Sequence, residues 1–61
     1  MNKIRKQIAD VLKQIVCKYT DLTVGIVLEQ AVGRDRLNEI SDERLLELLE
    51  RFLRTREPYV G

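Results

Sequence analysis

Residues 40–58, ISDERLLELLERFLRTREP, constrain this chain more than any other stretch, because they carry the start, the apolar face and the stop of a single helix. Ser41 has an N-cap side chain, Asp42 and Glu43 fall in the first turn where the helix dipole favours negative charge, and Ile40 is placed to pack on Leu45 across the cap. Leu45, Leu46, Leu48, Leu49, Phe52 and Leu53 then share an arc of about 160°. Glu47 and Arg51, and Glu50 and Arg54, stand four apart on the other face, the spacing at which opposite charges meet on a helix. Arg51, Arg54 and Arg56 suit the C-terminal end, and Pro58 ends it. The spacing predicts a helix over 42–56 that must bury a wide apolar arc against something else.

What can cover it is limited by length. Sixty-one residues make one domain, 1–61, at the lower edge of what folds alone. A chain with one cysteine and no histidine lacks the residues for an internal disulfide or an ordinary zinc site. No metal or cofactor is therefore expected. Apolar residues at 44% and charged residues at 34% suit a compact water-facing fold, not a disordered chain. The longest apolar run, Leu22 to Leu28, includes a Thr and a Gly and falls far short of the roughly 18 to 20 residues that span a bilayer. The opening residues lack the pattern of a secretory leader, so a cytoplasmic protein is expected.

Residues 3–19 place Ile4, Ile8, Val11 and Ile15 at spacings of 4, 3 and 4, with Leu12, Val16 and Tyr19 beside them. This is the period of an amphipathic helix. Lys3, Lys6, Asp10, Lys13 and Gln14 take the opposite face, and Cys17 also points away from the apolar stripe.

The segment LTVGIVLEQAVG, 22–33, is ambiguous by its own period. Leu22, Val24, Ile26 and Leu28 alternate as in a strand, yet the chain holds no second β-rich run for a strand to pair with. A helix over 22–33 is the better reading, with Thr20 or Asp21 as its cap and Gly33 as the left-handed residue that ends it. Apolar residues all round its wheel make it the expected central helix. Gly25 would let a neighbouring helix approach closely. Leu37 and Ile40 are expected to anchor the polar connection RDRLNEI to the core, and 57–61 to form a loose tail.

The expected fold is all-α: three helices, about 3–19, 22–33 and 42–56, in a small bundle completed by dimerisation. No catalytic or cofactor-binding residue is expected, since no histidine is present and the acids lie on water-facing positions. The protein reads as a non-enzymatic interaction or regulatory protein, a homodimer through leftover apolar surface or the binder of another protein. Val24, Gly25, Ile26, Leu28 and Val32 of the second helix, with Leu46, Leu48 and Leu53 at the edges of the third helix's arc, are the candidate interface. Cys17 is a candidate free thiol whose nearby Lys13 and Lys18 would favour the thiolate, although an ordinary, inert thiol is the simpler reading.

Charge is unevenly divided. Residues 1–20 hold Lys3, Arg5, Lys6, Lys13 and Lys18 against Asp10 alone, while 21–61 hold six arginines against nine acids. The basic first helix and acidic third helix are candidates to meet across a dimer twofold. The alternative is a helix-turn-helix-like nucleic-acid binder using the basic face of Lys3, Lys6 and Lys13, helped by the loop Gly33–Arg36. The acidic start of the third helix counts against it, because phosphates would repel a recognition helix that opens Asp42-Glu43.

Overall fold

A computed structural model describes residues 3–33 and 36–58. Three helices make up the described chain: α1 Lys3–Lys18, α2 Val24–Val32 and α3 Asp42–Thr55. There is no strand among the described residues. The run that alternates like a strand is a helix from Val24 onward, because its apolar residues find a core on one side and no second strand on the other.

Each helix end has a local cause. Ser41 caps α3 as its spacing predicts, its hydroxyl accepting the Arg44 amide at 3.2 Å. The cap of α2 is Thr23, which accepts the Ile26 amide at 3.2 Å, and not Thr20 or Asp21. Asp21 is drawn away into an ion pair with Arg56, so the helix starts two residues later than its apolar pattern does. Gly33 ends α2 with φ 97°, a backbone angle that residues with a Cβ rarely take. Thr55 is the last residue of α3, and Arg56 follows it in the left-handed region at φ 57°.

Arg5 reaches Asp42 at 3.2 Å near the starts of α1 and α3, and Tyr19 meets Phe52 and Leu53 near their ends. The two long helices therefore run side by side in the same direction. A parallel pair needs a return leg, and α2 with its flanking loops supplies it. Nine helical residues advance only about 13 Å, so the chain completes the return through the irregular stretch before Ser41, with a tight turn at Arg36–Glu39.

The core draws on every element: Val11, Ile15 and Tyr19 from α1 and its end, Val27, Ala31 and Val32 from α2, and Leu48, Leu49 and Phe52 from α3. Ile40 and Leu45, the expected staple, are both half-buried against it. Leu37 is not an anchor, since it is 41% exposed.

The central helix is α3 and not α2. It packs extensively on α1 and also on α2, whereas α1 and α2 touch only narrowly. The reason lies in width: the broad arc of α3 serves two neighbours, while α2 buries a single stripe and turns Val24, Gly25 and Ile26 to water. One pair of opposite charges from α1 and α3, Arg5 and Asp42, meets inside the chain. On α3 itself Glu47 pairs with Arg44 at 3.3 Å and Arg51 with Glu57 at 3.5 Å, replacing the Glu47–Arg51 pair. Glu50 and Arg54 form no ion pair among the described residues. Glu57, counted with the tail, is thus held back onto α3, while 59–61 and the loop residues 34 and 35 lie outside the described residues.

Candidate interaction surface

The ends of α1 and α3 are tied together by one aromatic cluster. Tyr19 Oη donates to the Leu53 carbonyl at 2.8 Å, and Lys18 Nζ donates to the same oxygen at 3.3 Å. That carbonyl belongs to the last turn of a helix, which has no intrahelical donor to offer it. The Tyr19 ring stands edge-on to Phe52, with centroids 5.8 Å apart. The Arg56 guanidinium lies 5.1 Å from the Tyr19 ring centre and donates to the Asp21 carboxylate. That hydrogen bond holds the Asp21 carboxyl below the usual carboxylate range. Every group here is used to join two helix ends, so the cluster is structural.

The second feature is a concavity of about 520 Å³ at the start of α3, between Arg36, Glu39, Ile40, Ser41, Arg44 and Leu48. Its charges are of both signs, and the Arg44 guanidinium is turned to Glu47.

The third feature is apolar. Ala9, Leu12 and Val16 of α1 and Val24 of α2 line a groove of about 310 Å³, with Lys13 and Cys17 on its α1 side. The narrow contact of α1 with α2 leaves this groove open. Val24 and Ile26 are 46% and 42% exposed, and both stand in the first turn of α2, which the Thr23 cap fixes in place.

No family model, curated protein or solved structure matches this chain.

The expected interface is divided by the structure. Val24, Gly25 and Ile26 are exposed, and of these Val24 lines the groove. Leu28, Leu46 and Leu53 are half-buried, packed on the chain's own core. Val32 and Leu48 belong to that core outright, at 0% and 4% exposure, and are closed to any partner. Exposed Ala9 and half-buried Leu12 and Val16 line the groove without being among the residues expected at an interface. The signal was present in the breadth of the α1 stripe, since Leu12 and Val16 lie to one side of the Ile4, Ile8, Val11 and Ile15 line that meets α3.

Lys3, Lys6 and Lys13 are exposed and make no ion pair among the described residues. Cys17 is an exposed free thiol. Lys18, one of the two cations invoked to activate it, is turned to the Leu53 carbonyl and the Tyr19 ring.

Proposed function

We propose that the protein is a small non-enzymatic interaction protein that self-associates, a second chain covering the apolar face left open by α1 and the first turn of α2. The observation that carries this reading is the exposure of Val24 in a groove walled by Ala9, Leu12 and Val16, with Ile26 also exposed in the same turn of α2. Scattered apolar residues on a surface are ordinary, but a contiguous set around a concavity is the usual form of a docking site. A regulatory role follows if assembly is reversible, and a cytoplasmic setting suits an exposed lone thiol. Nucleic-acid binding has less support: the chain from α2 to α3 runs from Gly33 to Ser41, longer than a helix-turn-helix turn, and Asp42 sits at the start of α3 beside Arg5.

The test is the double substitution Val24→Ser and Ile26→Ser. Both side chains are over two-fifths exposed, so the helicity of the dilute protein should be unchanged and its stability should fall by no more than about 1 kcal/mol. Self-association, followed by light scattering, should be lost. Association equal to that of the wild type would remove this face from consideration.

A further inference from the structure

The groove has a wall with a regular composition. Lys6, Ala9, Lys13 and Val16 follow one another at spacings of 3, 4 and 3, which places them along one ridge of α1, alternately basic and apolar. Ala9, Lys13 and Val16 line the groove directly. One other ridge of the molecule has the same spacing with the opposite charge: Glu43, Leu46, Glu50 and Leu53 on α3. There Glu43 and Glu50 are exposed, and Leu46 and Leu53 are half-buried.

None of the four charges is in an ion pair among the described residues. Within one chain the two ridges do not answer each other, because the polar contacts between α1 and α3 are made by Arg5 with Asp42 and by Lys18 and Tyr19 with the Leu53 carbonyl. Lysines seven apart on one helix and glutamates seven apart on the other both stand about 10.5 Å apart along their axes. Either direction of docking therefore sets each Lys opposite a Glu with Ala9 and Leu46 between them, and a parallel docking also sets Val16 opposite Leu53.

We propose that the occupant of the groove is α3 of a second copy of this chain, its Glu43–Leu46–Glu50–Leu53 ridge seated on the Lys6–Ala9–Lys13–Val16 ridge of α1. The inference rests on the self-association proposed above and names the element that fills the face. Contact of α1 with α1 across a twofold is disfavoured, since it would set Lys6 and Lys13 against their own copies. Asp10 on α1 and Arg54 on α3, each four residues from a ridge charge, temper the complementarity without reversing it. Exposed ion pairs are individually weak and screened by salt, so the apolar residues supply the adhesion and the charges select the register.

The test is a charge exchange between two full-length variants, with self-association measured by light scattering or sedimentation at low salt. The first is K6E with K13E, both at exposed positions of α1. The second is E43K with E50K, checked for wild-type helicity before use. Each alone should associate at least about tenfold more weakly than the wild type, because attraction becomes repulsion at two positions. An equimolar mixture should recover to within about threefold, since the acidic α1 ridge of one variant now meets the basic α3 ridge of the other. Undiminished association of the K6E/K13E variant overturns this seating and leaves self-association standing through another surface. A mixture that fails to recover overturns the pairing of these two ridges. A wild type that stays monomeric removes self-association and this inference together.

Discussion

At the scale of residues, the pair Asp21 and Arg56 shows how one contact can shift a boundary. Asp21 has the composition of a helix cap, but Arg56 takes its carboxylate and Thr23 caps α2 instead. Arg56 is positioned by its left-handed backbone at the end of α3, a feature that no spacing rule assigns to arginine, and this is why the pair could not be read from the sequence. The hydrogen bond lowers the Asp21 carboxyl below its ordinary value. A carboxyl depressed in the folded state contributes stability that is fully present above its unfolded value and disappears as pH falls through the folded one. Asp21→Asn should therefore destabilise the protein by a small and constant amount from neutral pH down to about pH 5, and the difference should vanish by about pH 2. Urea midpoints of the two proteins across that range check it. A difference that persists undiminished in acid would show that the contact does not depend on the carboxylate charge.

At the scale of elements, α3 was legible almost residue by residue, because its cap and apolar arc agree with one another and its end falls within a residue of the reading. Only its surface pairing differs, as Arg44 and Glu57 supply partners nearer than those four residues away. The helix α1 was equally legible in extent, though not in the division of its broad stripe between core and groove. In α2 the period alone decides neither helix nor buried side, since apolar residues surround the wheel and both choices belong to its neighbours. Gly25 illustrates the point: a methyl group added there meets nothing within 4 Å, so the glycine does not serve a close helix approach within the chain. Gly25→Ala should raise the unfolding free energy of dilute protein by about 0.5 to 1 kcal/mol, the helix-propensity gain of alanine over glycine. A loss of stability in dilute chemical denaturation would mean that something packs on that position after all.

For the whole molecule, the all-α class and the count of three helices follow from periodicity, but the parallel placement of α1 and α3 does not. Parallel helices are set by contacts far apart in the chain, such as Arg5 with Asp42 and Tyr19 with Leu53, which no local pattern announces. That arrangement makes α2 a short return leg and leaves one side of it, with the adjoining face of α1, uncovered. The core within one chain is closed around Ile15, Val27, Val32, Leu49 and Phe52, all at most 1% exposed. Self-association would therefore add a second chain to an already folded one, and stability should couple to assembly by mass action. The most direct test is the molar mass in solution and the thermal midpoint measured together over a wide concentration series. Self-association requires that mass rise above 7.2 kDa as concentration increases and that the midpoint rise with it. A constant monomer mass with a concentration-independent midpoint would contradict it.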